Sequence, residues 1–468
     1  MGRSRKYIYR VVCASVVTIL VVSGLARTAV AEGRSYTGTI DGAAYRVEVP
    51  PHWNGTLLLY SHGYFPVGFQ AFPDISLTNS HQAEAWLLDH GYALAASNFR
   101  TVTGFHVDQG YRDQLALLGW FESNVGEPEH VIATGQSMGA AIATRLGERR
   151  PDVIDGVATM CAALDPMASY NAGLDMAFAV KTLLASGEDI DLVHARDPEG
   201  STLALQQAVD RAMTTPEGRA RLALVASLNN VTGWWSALQP RPADPDERIR
   251  QQALWVRNAY IGGFGGPVAF ADLEARAGGN PSSNVGIDYR HQLARSSQTG
   301  MVKDAYRRAH LDLGADLNQL DAAPRISADP AAVTFMHQTS VPTGRLQVPM
   351  VTLHSTGDGG AVPDQERWYA QQVRRNSDAN LLRHLYVERG QHCSFSGADE
   401  VVAIRALVRR VDTGRWPSTD PRQLNAAVER FPLEDQVVVD LSSFPFPTGV
   451  MPPAFTRYTP PALLRPSD

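Results

Sequence analysis

The sequence is poor in cysteine and in the motifs that hold metals or phosphates. It has three cysteines in 468 residues, and it contains no HExxH, no CxxC and no closely spaced group of histidines and cysteines. A P-loop is absent as well, and no GxGxxG follows the first strands. These patterns supply the ligands and backbone cradles that such groups need, so we predict no metal and no cofactor.

Charge is also scarce, and its sign excludes one class of partner. Only 19% of the residues are charged, whereas 44% are hydrophobic, which is enough to bury a large core. The formal net charge is -6, and no cluster of arginine or lysine is interleaved with aromatic residues. We therefore predict no nucleic-acid partner. Nothing in the sequence indicates an oligomeric state.

Long hydrophobic runs are missing except at the start of the chain. Residues 11–25 are apolar, basic residues precede them, and Ala29-Val30-Ala31 forms a small-residue cleavage site before Glu32. This pattern predicts a secretory signal peptide over residues 1–31; the alternative is an uncleaved anchor. Cleavage would remove five positive charges and change the formal net charge from -6 to -11. We expect a secreted mature chain without stable membrane insertion.

Two cysteines remain after signal cleavage. Cys13 lies in the signal, which leaves Cys161 and Cys393. In an oxidising compartment such a pair is either a disulfide or two buried thiols, and the sequence leaves both open.

Short apolar runs that alternate with helical segments dominate the rest of the chain. A hairpin around Asp41-Gly42 comes first. Strands that are apolar on both faces are typical of a parallel sheet covered by helices, so we predict an α/β fold with a mostly parallel central sheet flanked by helices. The strand candidates are Tyr36–Ile40, Ala44–Val49, Thr56–Tyr60, Tyr92–Ala96, His130–Thr134, Gly156–Cys161, Met350–His354 and Leu385–Val387. The helix candidates between them are Asn79–His90, Arg112–Ser123, Met138–Arg150, Asp364–Arg374 and Asp399–Val411.

The alternation is interrupted once, after the sixth strand. We predict a large, mainly helical lid inserted there, because a structureless loop of that length is implausible in a compact domain. Its predicted helices are Leu174–Ala185, Leu203–Met213, Pro216–Ser227 and Arg248–Tyr260, followed by loops rich in glycine, proline and asparagine. The expected organisation is a signal peptide (1–31), a first core part (32–164), the insert (165–345), a second core part (346–443) and a proline-rich tail (444–468).

Gly135-Gln136-Ser137-Met138-Gly139 lies between a predicted strand and a predicted helix. That context identifies a G-x-S-x-G match as a nucleophile elbow, in which both glycines allow strand and helix to approach closely. The alternative is a serine that only caps the helix.

A base and an orienting acid follow in the order that accompanies this elbow. His392 follows the last predicted strand, and Asp358 follows the strand Met350–His354. We predict that Ser137 attacks, His392 transfers the proton and Asp358 stabilises the charged imidazole. Asp358 could instead be a turn carboxylate and His392 a surface histidine. Asp165 is the alternative candidate for the orienting carboxylate, although a helix cap is the simpler interpretation of this residue.

Two backbone N–H groups are candidates for an oxyanion hole. Met138 follows the serine at the helix start, and the turn His62-Gly63-Tyr64 leaves the third strand. We assign the N–H groups of Met138 and Tyr64 to this role, with Gly63 permitting the bend; an ordinary strand-ending turn is the alternative. Five aromatic residues of the insert either line an apolar substrate pocket or form the insert's own core: Trp234, Trp235, Trp255, Tyr260 and Phe264.

These residues together resemble the α/β-hydrolase superfamily. The likeness rests on His62-Gly63-Tyr64, residues 135–139, Asp358 with Val362-Pro363, and His392. More narrowly, the chain resembles secreted actinobacterial α/β hydrolases with a helical lid, which implies no settled activity. Cys393 directly after the histidine is similar to feruloyl esterases and tannases, where it bridges to a cysteine before the serine. Gln136 occupies that earlier position here, so Cys161 is the one remaining partner in the mature chain.

Three functional hypotheses follow. The first is a secreted serine esterase, lipase-like, that cleaves small-molecule carboxylic esters, lactones included, with bulky or apolar groups through an acyl-enzyme. The second is an exported aminopeptidase-like serine peptidase with the same triad, whose amino-terminal anchor would come from Glu188, Asp189 and Asp191. A solvated acidic turn is the simpler interpretation of those three residues. The third is a non-enzymatic binding protein on the same fold.

Overall fold

The computed structural model describes residues 33–69 and 74–467. The predicted signal peptide, residues 1–31, lies outside these ranges, and secretion stays a prediction. Within the described ranges, no helix has the length and apolar character that crossing a membrane requires.

A nine-stranded sheet lies at the centre of the described structure. Its strands are β1 (Arg34–Ile40), β2 (Ala43–Val49), β3 (Thr56–Ser61), β4 (Ala93–Ser97), β5 (His130–Gln136), β6 (Gly156–Met160), β7 (Met350–Gly357), β8 (Leu382–Gly390) and β11 (Phe455–Thr456), while β9 (Val437–Val439) and β10 (Thr448–Val450) form a separate pair. The strand order in the sheet is β1-β2-β4-β3-β5-β6-β7-β8-β11. The six strands β3 to β8 are parallel to one another. Strands β1, β2 and β11 run antiparallel to their neighbours.

Helices cover both faces of this sheet, as predicted. Strand β3 is buried along its whole length. Its Leu57 and Leu59 pack into one hydrophobic core, while Leu58 and Tyr60 pack into the other. A strand that is buried on both sides needs apolar residues at every position, and this explains the continuous apolar runs in the sequence. The helices outside the insert are α1 (His81–Asp89), α2 (Val107–Asn124), α3 (Met138–Arg149), α13 (Asp364–Asn376), α14 (Gly397–Thr413) and α15 (Pro421–Val428).

Between β6 and β7 the chain is mainly helical. The helices are α4 (Pro166–Leu184), α5 (Pro198–Met213), α6 (Pro216–Ser227), α7 (Pro245–Leu254), α8 (Pro267–Ala277), α9 (Tyr289–Arg295), α10 (Thr299–Arg308), α11 (Leu313–Ala322) and α12 (Pro330–Thr339), with a π-helical segment over Trp255–Phe264. That this segment acts as a lid, and its exact boundaries, stay predictions.

Two expectations for the insert were wrong. The segment after residue 260, predicted as loops, contains helices α8 to α12. Proline at the first helical position starts α8 and α12, so these prolines, which we interpreted as loop signals, are helix starts; the side chains of Asp288 and Asp312 cap α9 and α11. The helix predicted over Arg248–Tyr260 also divides, because α7 ends at Leu254 and the π-helical turns follow.

Part of the proline-rich tail pairs with the central sheet, and part of it is buried. Its Phe455–Thr456 pair with Tyr386 and Val387 as an edge strand of the sheet. Further on, Leu463 and Leu464 are buried. The end of the tail therefore packs into the molecule rather than over it.

Candidate active site

Ser137 lies at the sharp turn between β5 and α3. Its φ is +53°, a left-handed value that a non-glycine residue adopts only when its surroundings enforce it. A side chain at Gly139 would meet the carbonyl oxygens of Ser61 and His62, and one at Gly135 would meet the carbonyl of Gly139. Gln136, the residue before the serine, ends β5. The Ser137 side chain makes no capping hydrogen bond to α3, so the helix-cap alternative does not describe its hydroxyl.

The structure brings Ser137, His392 and Asp358 together from three loops that follow β5, β8 and β7. Ser137 Oγ lies 2.8 Å from His392 Nε2, and His392 Nδ1 lies 2.6 Å from Asp358 Oδ2. A carboxylate accepts hydrogen bonds only, so Nδ1 donates to Asp358. This tautomer leaves the lone pair of Nε2 to accept the hydrogen bond from the serine hydroxyl.

Asp358 is fully buried and held on two sides. Its Oδ1 accepts a hydrogen bond of 2.8 Å from the N–H of Gly360. Burial by itself raises the pKa of Asp358, but the interactions with His392 and with His354, whose Nε2 is 3.4 Å away, outweigh burial and lower that pKa. Asp358 therefore stays ionised beside the imidazole.

Asp165, the competing acid, has a different task in the structure. Its Oδ1 accepts from the N–H of Ala168 at 2.8 Å and caps α4, while its Oδ2 accepts from the N–H of Ser467 at 2.9 Å. The carboxylate that contacts His392 is that of Asp358.

The loop that carries His392 is fastened on both sides. Cys393 forms a disulfide with Cys161, which directly follows β6; the two Cα atoms are 5.1 Å apart. Because both sulphurs are bonded to each other, the close group of Cys161, His392 and Cys393 offers no thiolate to a metal. Gln391, which the sequence did not single out, accepts from the N–H of His392 at 2.8 Å and donates from Nε2 to the carbonyl of Trp235 at 2.7 Å. The backbone of Gln391 has a φ of +68°, and no residue pattern in the sequence predicts this conformation.

The turn after β3 packs directly against the nucleophile. A Cβ at Gly63 would lie 3.1 Å from the Cβ of Ser137. His62 is buried, its Nδ1 lies 2.7 Å from the Gly63 carbonyl oxygen, and burial lowers its pKa to about 4, which keeps it uncharged at neutral pH. Met138 is the first residue of α3, so its N–H has no acceptor within the helix. The oxyanion role of Met138 and Tyr64 stays a prediction.

An apolar cavity of about 210 Å³ opens at Ser137 and His392. Its walls come from the core loops, from α4 and from the π-helical segment. Among the described residues that line it there is no lysine or arginine; they include Tyr64, Phe105, Met138, Tyr170, Trp255 and Phe264.

The insert's aromatic residues divide between the two predicted roles. Trp255 and Phe264 line the cavity. Tyr260 is buried, and its hydroxyl donates to the carbonyl of Gly360 at 2.8 Å, beside Asp358. Trp234 lines a different cavity. The indole N–H of Trp235 donates to the backbone carbonyl of Ser442.

The three acidic residues considered as an amino-terminal anchor form ion pairs elsewhere. Glu188 pairs with Arg211, while Asp189 and Asp191 pair with Arg196. None of the three lines the cavity at Ser137. The simpler interpretation, a solvated acidic turn, fits their positions.

A buried histidine and glutamate lie behind Asp358, and the sequence analysis missed their role. His354 Nδ1 is 2.9 Å from Glu366 Oε1, His354 Nε2 is 2.8 Å from the Ala361 carbonyl oxygen, and the same Nε2 is 3.4 Å from Asp358 Oδ2. Burial lowers the pKa of His354, but its contacts with the carboxylates of Asp358 and Glu366 outweigh burial and raise that pKa to about 10. Burial raises the pKa of Glu366, but His354 and His384 lower it to about 2. The sequence did contain one signal for this cluster, because His354 is a polar residue at the end of the predicted apolar strand Met350–His354.

Comparisons with known proteins add one relative in sequence. No protein-family model matches the chain. An o-phthalyl amidase from Xanthobacter agilis is 29% identical over 415 residues, which cover 83% of this chain and 89% of that protein.

Two solved structures align with most of the chain at low TM-scores. An enol-lactonase from Burkholderia xenovorans LB400 is 15% identical, with a TM-score of 0.34, and the match covers 76% of this chain and 93% of the enzyme. The esterase domain of a Rhodothermus marinus protein is 11% identical, with a TM-score of 0.37, and the match covers 81% of this chain and 98% of the domain.

Proposed function

The chain has the α/β-hydrolase fold, with its mostly parallel sheet and a strand–serine–helix turn, and from this premise we propose that it is a serine hydrolase that cleaves carboxylic esters. The observation that carries the proposal is the hydrogen-bonded series Ser137–His392–Asp358 at the mouth of an apolar cavity.

The proposed reaction runs through an acyl-enzyme. Ser137 Oγ bonds to the ester carbonyl carbon while His392 Nε2 takes the hydroxyl proton. The N–H groups of Met138 and Tyr64 stabilise the oxyanion. When the intermediate collapses, the carbon–oxygen bond to the alcohol breaks and His392 gives the alcohol its proton. A water then attacks the acyl-enzyme with the same proton transfers, which releases the acid and restores Ser137.

A fluorophosphonate probe tests this proposal without knowledge of the substrate. We expect covalent labelling at Ser137, and loss of both labelling and esterase activity in Ser137→Ala. The matched control is Ser123→Ala, since Ser123 is an exposed serine at the end of α2 and lies outside the elbow. Labelling that persists in Ser137→Ala would contradict the assignment.

The cavity also supports a prediction about the acyl group. An apolar protein cavity of about 150 Å³ holds benzene, so the 210 Å³ here suits one aromatic ring with a small substituent. Because the described lining has no lysine or arginine, a free carboxylate on that ring would lose its hydration without gaining an ion pair. We expect kcat/KM at least about tenfold higher for p-nitrophenyl benzoate than for the acetate, the palmitate or the o-carboxybenzoate. Equal rates for benzoate and o-carboxybenzoate would contradict this prediction.

Amide cleavage is the second candidate, because the sequence relative is an o-phthalyl amidase. The comparison that separates the two functions keeps the acyl group constant. A benzoyl anilide turned over faster than a benzoyl ester of similar size would assign the chain to amide hydrolysis. The reverse order would support the ester proposal.

A further inference from the structure

His354 contacts the same carboxylate oxygen of Asp358 as His392 does, since its Nε2 lies 3.4 Å from Oδ2. His354, Asp358 and Glu366 are all fully buried, and they come from β7, the loop after it and α13. The three polar atoms around the His354 ring are acceptors: the Ala361 carbonyl oxygen and one carboxylate oxygen each of Asp358 and Glu366.

These acceptors determine the protonation state of His354. A carbonyl oxygen cannot donate, so Nε2 carries a proton toward Ala361. Nδ1 faces the carboxylate of Glu366 and carries the second proton. The geometry is therefore that of an imidazolium between two carboxylates.

The charge balance links this ion to the triad. With His392 neutral, the group of His354, Asp358 and Glu366 contains one positive and two negative charges. When His392 takes the proton of Ser137, the positive and negative charges become equal in number. Without His354, two buried carboxylates would lie behind His392, and their field would favour its charged form, because buried charges are poorly screened.

We propose that His354 is a positioning residue of the reaction: as a buried imidazolium it orients Asp358 and offsets the charge of Glu366, so that His392 faces the net field of one carboxylate rather than two. This inference rests on the triad proposed above. Other titratable groups near the cluster are Asp364 on α13, whose carboxylate accepts from Asn230 at 2.7 Å, and His384 and Tyr386 on β8, with His384 Nδ1 3.0 Å from Glu366 Oε2. The hydroxyl of Tyr260 approaches Asp358 from the insert side.

The test is the pH dependence of the rate at which a fluorophosphonate labels Ser137, measured on the purified full chain. Labelling needs neutral His392, so the rate falls at low pH. We expect His354→Gln to move the midpoint of that fall upward by about one pH unit, because the uncompensated carboxylates favour protonated His392. In the double variant His354→Gln/Glu366→Gln one positive and one negative charge are removed together, so the midpoint should return toward the wild-type value.

Two controls accompany these variants. His130→Gln changes a partly exposed histidine at the start of β5 and should keep the wild-type midpoint. Asp364→Asn removes the other carboxyl close to His354. Loss of this carboxyl can only lower the midpoint on the same charge argument, so an Asp364→Asn midpoint that rises as far as that of His354→Gln would overturn our proposal. A His354→Gln enzyme with an unchanged midpoint and only a lower maximal rate would make His354 a structural residue.

A measurement on the wild-type protein covers the case in which the variants do not fold. Nitrogen-15 NMR of histidine-labelled protein, with His354 assigned through its contacts to Ala361, should show both ring nitrogens protonated from pH 5 to pH 8. A singly protonated His354 ring at neutral pH would overturn the proposal. Wild-type protein that the probe does not label at any pH would instead refute the triad, and the NMR result separates the two failures.

Discussion

At the residue level, the conformation of the candidate nucleophile Ser137 depends on the absence of a side chain at Gly139. Ser137 can keep its left-handed φ because α3 lies close against the end of β3, and this close approach leaves no room for a side chain at Gly139. The backbone around Ser137 is therefore held from both sides, as a strained and exposed hydroxyl requires.

Gly139→Ala tests this requirement. The new methyl group would meet the backbone carbonyls of Ser61 and His62, which cannot rotate away as a side chain could. We expect the free energy of unfolding to fall by about 1–3 kcal/mol and probe labelling of Ser137 to slow by at least about tenfold. The measurements are urea denaturation and labelling kinetics.

The matched control for that variant is Gly119→Ala. Gly119 lies within α2, and a Cβ there would meet no atom within 4 Å. We expect Gly119→Ala to raise the free energy of unfolding by about 0.5–1 kcal/mol, the ordinary gain of alanine over glycine in a helix. A Gly139→Ala protein as stable and as reactive as the Gly119→Ala protein would refute the packing argument.

At the scale of the element, the sequence predicts the sheet far better than the insert. Strands buried on both faces, such as β3 and β5, leave a short continuous apolar run, and its length and the turn residues beside it distinguish it from a buried helix. The short helices α9 and α11 bury only a few residues each, so their apolar period is weak. Their signal lies in the capping residues Asp288 and Asp312, which also resemble loop residues.

The same division holds for the candidate site. Residues of the proposed triad could be predicted because each directly follows a strand or precedes a helix, where local pattern fixes its place. Gln391 and Glu366 could not, because their partners, Trp235 and His354, are distant in sequence or hidden within a strand pattern. Contacts of that kind are set by tertiary packing, which a single sequence does not encode locally.

At the scale of the whole molecule, the last residues of the chain connect parts that are far apart in sequence. Phe455–Thr456 extend the sheet beside β8, and the N–H of Ser467 binds the carboxylate that caps α4. The Cys161–Cys393 disulfide fastens the His392 loop to the end of β6 across 232 residues. The tail therefore contributes to the support of the insert and the sheet together.

Arg465 makes a buried ion pair between the tail and α4. Its guanidinium pairs with the fully buried Asp175 of α4, which also accepts a hydrogen bond of 3.0 Å from the hydroxyl of Tyr289. Removing the arginine would leave a buried carboxylate without its cation. We expect Arg465→Ala to lower the free energy of unfolding by about 3–5 kcal/mol in urea denaturation.

Two further variants test whether the unpaired buried charge causes the loss of stability in Arg465→Ala. Asp175→Asn combined with Arg465→Ala removes the unpaired charge, so most of the lost stability should return. Arg457→Ala breaks an exposed tail ion pair with Asp420 and should cost less than about 1 kcal/mol, since water screens that pair. If Arg465→Ala is no more destabilising than Arg457→Ala, the end of the tail does not anchor the insert; if the double variant regains nothing, the loss comes from packing rather than from charge.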